Sequence, residues 1–273
     1  IMKQLFSAIL FLFCTFLLAG CAGRHAGNTL LENASPDTSA LALYCYDGSI
    51  TTCSYLYDST EVQKALQSLS AVDAKKSGNF TPSQAAAPVY AISIGGKDGN
   101  DIQAAWSNGY WIAQNGVSYR FDYDFKALAS EYSWSDPQTW TSTAILPCAR
   151  HLSQDSSGWY APFLTPAEPL DPPENISASM VSRENDAITV AFENQGDAQW
   201  TYGKYFSLHV LLDGIWYVVP PIPDSIWGFP DIACILPAHT AQQETYSLTM
   251  YGSLPDGTYR LVAENLAVEL TLP

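Results

Sequence analysis

Apolar and polar residues alternate through residues 101–124, and this alternation predicts a three-stranded antiparallel meander. Asn108-Gly109 and Asn115-Gly116 interrupt the alternating runs. Asn-Gly at such a position favours a hairpin, because both central residues of a type I′ turn need a positive φ. The stretch therefore predicts three short strands joined by two tight turns.

The meander is expected to carry a row of large side chains on one face. With two-residue loops at both turns, Trp106 lies opposite Trp111, and Trp111 lies opposite Arg120. Aromatic faces and an arginine can stack on a sugar ring or grip a peptide, so these three are the candidate ligand-binding residues. A helix that covers the row, or an internal cation–π contact between Arg120 and Trp111, is the alternative. The opposite face is expected to be core and contains Ala105, Tyr110, Ile112, Tyr119 and Phe121.

The surrounding residues 41–160 predict an α+β domain, an antiparallel sheet with two helices on one face. Asp58 and Glu61 have the spacing of a capping box. Behind them an apolar stripe follows at helical spacing, formed by Val62, Ala65, Leu66, Leu69 and Val72. Asp124 is expected to cap a second, shorter helix. Further strands are predicted at 41–46, 50–57 and 88–94, and the resulting order ββαββββα fits this fold class.

Residues 175–273 predict an all-β sandwich. Asp213-Gly214 joins two β-rich runs, and the pairing places His209 opposite Val218 on the face away from the apolar one, where an exposed histidine is expected. Residues 161–174, which precede this domain, contain five prolines and predict a semi-rigid linker. The runs that support the sandwich are 176–181, 188–193, 206–212, 215–219, 245–251, 258–264 and 267–272.

The N-terminal residues predict a lipid anchor. Lys3 precedes an apolar run that is too short for a comfortable bilayer span but typical of a signal peptide. The sequence Leu18-Ala19-Gly20-Cys21 then resembles the lipobox of bacterial lipoproteins, in which the signal is cut before a cysteine that receives diacylglycerol. Residues 1–20 are thus expected to be the signal peptide, Cys21 the lipid attachment site, and residues 21–40 a flexible tether. An ordinary secretory signal, with Cys21 an early mature residue, is the alternative.

Charge and motifs exclude several classes of function. The net charge of -15, from 27 acidic and 12 basic residues, repels a phosphate backbone, so no nucleic-acid partner is expected. The sequence contains no P-loop, HExxH or GxSxG motif. Its cysteines and histidines lack the spacing of a zinc site. No metal or other cofactor is predicted, and a non-catalytic role is favoured.

Cys45 and Cys53 raise the question of a disulfide, because an exported protein can form one. A bridge between them would close a short hairpin. A two-residue turn at Asp47-Gly48, however, places Ile50 rather than Cys53 opposite Cys45. A Cys45–Cys53 disulfide and two free thiols therefore both stay open at this stage.

Three segments of the C-terminal half carry a family resemblance: residues 202–208, residues 213–220 and residues 257–260. They resemble bacterial immunoglobulin-like domains found at the end of exported proteins of Firmicutes. The resemblance covers about residues 174–273 and implies a sandwich fold without catalytic residues. The Cys…Trp…Cys spacing of antibody domains is missing, since Cys234 stands alone in this half. The first domain resembles uncharacterised lipoproteins of the same bacteria.

These observations lead to one expected function and two alternatives. The expected function is a membrane-anchored extracytoplasmic lipoprotein with a non-catalytic binding or assembly role at the cell envelope. Its partners would be the membrane, through lipidated Cys21, and an envelope protein, peptide or glycan. The alternatives are an envelope hydrolase with a carboxylate-based site in the α+β domain, and a sensory or inhibitory module for a cell-wall enzyme.

Overall fold

A computed structural model describes residues 31–35, 40–78, 80–184, 186–222 and 228–273 of the chain. The predicted signal peptide, Cys21 and most of the predicted tether lie outside these residues. Within the described part, no helix is both long and apolar enough to cross a bilayer.

The first half is built on one antiparallel sheet of eight strands, in the order β3-β7-β6-β5-β4-β1-β2-β8. Short strands lie at both edges, which limits edge-to-edge pairing with other chains. The bounds are β1 Leu41–Tyr46, β2 Thr51–Leu56, β3 Ala74–Lys76, β4 Val89–Gly95, β5 Asp101–Ser107, β6 Tyr110–Ala113, β7 Ser118–Phe121 and β8 Gln138–Trp140.

Two helices cover one face of this sheet, as the sequence predicts. Helix α1 (Ser59–Ser70) begins behind Asp58, whose carboxylate accepts from the Glu61 amide at 2.9 Å. Helix α2 (Phe125–Glu131) begins behind Asp124, which caps the Ala127 amide at 2.9 Å. The apolar faces of both helices join one core cluster with the sheet. The predicted α+β class is confirmed.

The opposite face of the sheet is only partly covered. A short helix, α3 (Ala149–Ser153), packs there with Leu146 and Phe163 against a second core cluster. The hairpin of β9 (Gln154–Asp155) and β10 (Gly158–Trp159) follows α3. The sheet is therefore buried on one face by α1 and α2, and on part of the other by residues that precede the C-terminal half.

The two Asn-Gly turns of the meander differ in loop length. Asn108 and Gly109 both have positive φ, and Trp106 pairs with Trp111 as predicted. At the second turn only Gly116 has positive φ, and the Ala113 amide donates to Val117 across a three-residue loop. The extra loop residue shifts β7 by one position along β6.

The C-terminal half is a sandwich of antiparallel sheets around a single large core cluster. Its sheets have the orders β11-β16-β15-β19-β20, β12-β13-β18 and β14-β17. The bounds are β11 Thr165–Pro166, β12 Ile176–Glu184, β13 Ala187–Asn194, β14 Trp200–Tyr202, β15 Ser207–Leu212, β16 Ile215–Val218, β17 Cys234–Leu236, β18 Thr240–Ser247, β19 Gly257–Ala263 and β20 Leu266–Leu272.

The segment predicted as a linker is built into both halves over its first residues. Phe163 and Leu164 are buried, and β11 adds an edge strand to the C-terminal sheet by pairing with β16. Proline is compatible with this position, because an edge strand needs hydrogen bonds on one side only.

Arg150, on α3, joins the two halves. Its buried guanidinium donates to the carbonyl oxygens of Pro220 at 2.9 Å, Tyr251 at 2.8 Å and Ser253 at 3.1 Å. It also lies over the Trp159 ring, 4.4 Å from the centroid. Burial lowers the pKa of Arg150 to about 10, so the side chain remains charged at neutral pH. Charge-assisted hydrogen bonds of this kind hold the halves in one arrangement.

Candidate ligand-binding trough

The row predicted from Trp106, Trp111 and Arg120 does not form. Trp111 is 1% exposed, and Phe125 of α2 packs on both tryptophans. Trp106 is half-buried, and its indole nitrogen donates to the Phe121 carbonyl at 2.8 Å. The shifted register pairs Trp111 with Tyr119 and turns Arg120 to the opposite face.

Arg120 lies over the Tyr110 ring, 3.8 Å from its centroid. The register shift also makes the prediction of a single core face wrong. Ile112 and Phe121 were expected on one face, but they belong to core clusters on opposite faces of the sheet. Both faces of the meander carry core residues, and the three candidates contribute to the fold.

The Cys45–Cys53 disulfide is also absent, and both thiols are free. Tyr44 pairs with Cys53, and Cys45 pairs with Thr52. Directly opposed residues in an antiparallel pair point to the same side of the sheet. Cys45 and Cys53 therefore point to opposite faces, which prevents a bridge between them.

A polar trough lies on the uncovered part of the sheet face that α3 packs against. Small residues form its floor: Ala42 on β1, with Ser93 and Gly95 on the neighbouring strand β4. Larger side chains on the flanking strands form its walls. We call this cavity of about 320 Å³ the trough; it is lined by Ala40, Ala42, Tyr44, Tyr55, Ser93, Ile94, Gly95 and Asp101.

One wall of the trough is aromatic and the other carries a carboxylate. Tyr55 is half-buried, and the ring of Tyr57 stacks on it with centroids 5.8 Å apart. Tyr57 is 65% exposed, so an aromatic surface extends from the trough to solvent. On the other side, Asp101 is exposed and accepts a hydrogen bond from the Ser93 hydroxyl at 3.1 Å. Such a pair of walls presents ring faces to one side of a ligand and an anionic acceptor to the other.

The titratable groups behind the aromatic wall are held in their neutral forms. Burial raises the pKa of the Tyr44 hydroxyl, and the Cys53 thiol beside it raises that pKa further. The hydrogen bond with Cys53 raises the pKa of Tyr55. Burial also raises the pKa of the Cys53 thiol. A protonated thiol is a poor nucleophile, so these groups offer hydrogen bonds and contact area instead of covalent chemistry.

Sequence reasoning missed the trough, although a signal for it exists in β4. The strand alternates large and small residues, with Tyr90, Ile92 and Ile94 separated by Ala91 and Ser93. The large residues join the core beneath the helices. A strand with small residues on one face leaves a depression there if neighbouring strands carry large ones.

The C-terminal sandwich has a recognisable family relationship. Three sheets enclose its core, and their strands pair throughout in antiparallel fashion. Residues 175–271 match the family model of the bacterial Ig-like domain. No curated protein and no solved structure matches the chain. The C-terminal region is thus an Ig-like domain.

The Ig-like domain contains a Ser-His pair that cannot act as a catalytic dyad. His209 is 5% exposed, so the prediction of an exposed histidine is wrong. Its Nδ1 accepts from Arg260 Nε at 3.1 Å, since arginine can only donate. The remaining nitrogen, Nε2, must carry the hydrogen and donates it to the Ser207 hydroxyl at 3.0 Å. A general base needs the opposite arrangement, with an unprotonated nitrogen facing the serine.

A groove of about 380 Å³ lies beside this pair, and three of the polar residues that line it are already engaged. Ser207 and His209 bind each other, and Glu264 accepts from the Gly203 amide at 2.8 Å. The connecting residues 168–170 form one side of the groove, over Val218 and Val262 of the sheet. The groove is a crevice beneath the connecting segment, so the trough is the better candidate for ligand binding. Among the described residues, no cluster of three or more His, Cys, Asp or Glu side chains could hold a metal ion.

Proposed function

We propose that this protein is a lipid-anchored extracytoplasmic protein that binds a ligand at the cell envelope without transforming it. The observation that carries the binding role is the trough, in which an aromatic wall faces the exposed carboxylate of Asp101 across a floor of small residues. Ligand sites in proteins combine contact area with a few placed polar groups in this way.

The protonation of the groups at the trough supports the non-catalytic character of the proposal. Tyrosine and cysteine ordinarily titrate above physiological pH. The pKa values of Tyr44, Cys53 and Tyr55 are raised further, so all three groups stay neutral. A carboxylate-based hydrolase needs two acids flanking the scissile bond. The residues that line the trough include one, Asp101.

The anchor is proposed from the sequence of the N-terminus. An apolar run with a preceding lysine ends in Leu18-Ala19-Gly20-Cys21, which supports cleavage before Cys21 and attachment of diacylglycerol there. A tether of about 20 residues has a root-mean-square reach of roughly 25 Å, enough to hold the folded part away from the headgroups. The Ig-like domain supports the same location, since the domains it resembles belong to exported proteins.

Metabolic labelling with an alkyne fatty acid in a bacterial host tests the anchor. We expect the full chain to incorporate the label and to sediment with membranes. The Cys21→Ser chain is expected to lose both properties. Labelling that survives the substitution would contradict the assignment of Cys21.

A blocking substitution tests the binding site. Ser93→Trp places a large ring on the trough floor, whereas Ala127→Trp, on the exposed side of α2, adds the same ring elsewhere. We expect Ser93→Trp to abolish retention on immobilised oligosaccharides and Ala127→Trp to leave it unchanged. Asp101→Ala, at an exposed position, should weaken retention without disturbing the fold. Equal retention by all four chains would place the site elsewhere.

A further inference from the structure

A second cavity lies beside the trough, at the junction between the two halves. This cavity, of about 180 Å³, lies among Tyr44, Gln103, residues 144–150 and residues 220–222, and we call it the junction pocket. Tyr44 lines both cavities. Ser93, on the trough floor, pairs directly with Gln103, at the edge of the junction pocket. The two cavities therefore adjoin along one sheet face.

The size of the combined cleft fits a ligand longer than one ring. The junction pocket alone is smaller than ligand sites usually are, roughly 300–1,000 Å³, and the trough lies at the lower end of that range. Together the two cavities fall within it. If one unit of a chain-like ligand fills the trough, its next unit lies in the junction pocket.

The polar groups of the cleft favour a sugar chain over a peptide. Within the described part of the chain, the Gln103 side-chain amide makes no hydrogen bond, so it can donate to and accept from a ligand hydroxyl. The cleft floor is a sheet face whose strands β1, β4 and β5 are already paired on both sides. An extended peptide therefore finds no open strand edge to bind. The half-buried ring of Tyr55 and the exposed ring of Tyr57 can pack against a sugar face.

The charge of the cleft favours a sugar chain without acidic groups. Asp101 contributes a carboxylate to the trough wall, and the whole chain has a net charge of -15. Arg150 is the cation nearest to the junction pocket, and its guanidinium is occupied by three carbonyl oxygens of the C-terminal half. Among the described residues that line the two cavities, no free cation would offset the repulsion of an acidic ligand.

The wall that the Ig-like domain contributes is held in place. Arg150 binds the Pro220 carbonyl, and the Ile222 amide donates to Met250 at 2.9 Å. Trp159 lies against the guanidinium and donates to the Tyr259 hydroxyl at 2.8 Å. A fixed wall lowers the entropy cost of ordering a site around its ligand.

The geometry points to a cleft with two subsites, the trough and the junction pocket, that binds a neutral or amine-bearing oligosaccharide of at least two rings. This inference rests on the proposed binding role of the trough and adds the class and minimum length of the ligand. The trough holds one ring against Tyr55 and Asp101. The junction pocket holds the next ring beside Gln103.

Calorimetry with oligosaccharides of increasing length tests the two subsites. The probes are N-acetylglucosamine and glucosamine oligomers from a single ring to a hexamer, with galacturonate oligomers as the acidic set and casein peptides as the peptide set. The full chain, kept in detergent, is titrated with each probe. We expect neutral or amine-bearing dimers to bind about tenfold more tightly than the single ring. Acidic oligomers and peptides are expected not to bind.

Substitutions at the junction pocket separate this inference from the proposed function. Ala144 is exposed at the pocket, so Ala144→Trp obstructs it without entering the core. We expect Ala144→Trp to remove the gain from the second ring, and Gln103→Ala to reduce it about three- to tenfold. Both should leave binding of the single ring unchanged. Ala127→Trp is the matched control and should behave as the wild type.

Each outcome decides the matter. If all lengths bind equally, or Ala144→Trp keeps the gain, the second subsite is wrong while the trough remains the site. If Ser93→Trp binds every probe as the wild type does, the site in the trough is wrong and both proposals fail. Binding of acidic oligomers or peptides alone, or of no probe, overturns the ligand class.

Discussion

His209 makes the stability of the Ig-like domain depend on pH in a predictable direction. Burial lowers its pKa from 6.5 to about 4, and the neighbouring charge of Arg260 acts in the same sense. The unfolded chain binds a proton near pH 6.5, while the folded chain does so only near pH 4. The contribution of neutral His209 to the free energy of unfolding is therefore fully present above about pH 6.5, and it is lost as the pH falls towards 4. At 1.36 kcal/mol per pKa unit, the full loss is about 3 kcal/mol.

Urea unfolding of the full chain at about pH 7.5 and about pH 4.5, followed by circular dichroism, measures this loss. Since other groups also titrate, the quantity of interest is the difference between the wild type and His209→Gln, which cannot titrate at this position. We expect the wild type to lose about 2–3 kcal/mol more than His209→Gln on acidification. His239→Gln, at an exposed histidine, should behave as the wild type. An equal pH dependence for all three chains would refute the burial argument.

Four further substitutions test how the fold is held. Arg150→Met leaves three carbonyl oxygens without their donor and should cost about 3 kcal/mol, with the two halves unfolding in separate calorimetric transitions. Asp58→Ala removes the cap of α1 and should cost about 1 kcal/mol in urea unfolding. Gly116→Ala and Gly99→Ala both place alanine at positive φ, and each should lower the free energy of unfolding by about 1–2 kcal/mol. Gly116→Ala should cost more, because the added Cβ would lie 3.1 Å from the His151 ring. The Cβ added at Gly99 would have no neighbouring atom within contact distance.

Local chemistry explains why parts of the fold could be predicted from the sequence. A short acidic side chain before an apolar stripe of helical period fixes where a helix begins, and Asp58 and Asp124 both act as caps. Positive φ at Asn108 and Gly109 likewise fixes the first turn of the meander and the pairing of its tryptophans. These signals depend on a few neighbouring residues.

The predicted row of Trp106, Trp111 and Arg120 failed, and the trough was missed, because both depend on strand register and on distant segments. The turn at Asn115-Gly116 is a three-residue loop instead of the two-residue loop that was predicted. The additional loop residue shifts the register of β7, which turns Arg120 to the sheet face opposite Trp111. Residues around Leu146 and Phe163 cover part of the sheet face opposite α1 and α2. No periodic pattern in the sequence predicts this covering. His209 is buried partly because its neighbour across the sheet is Arg260. Each of these facts depends on residues that lie far apart in the sequence.

The central claim is that ligand binds in the trough rather than on the helix-covered face or in the Ig-like domain. Backbone chemical shifts of the full chain, recorded with and without the tightest-binding oligosaccharide of the panel, test it most directly. We expect the largest changes at residues 40–44, 53–57 and 93–103. Changes centred on α1 and α2, or on Ser207 and Glu264, would contradict the account.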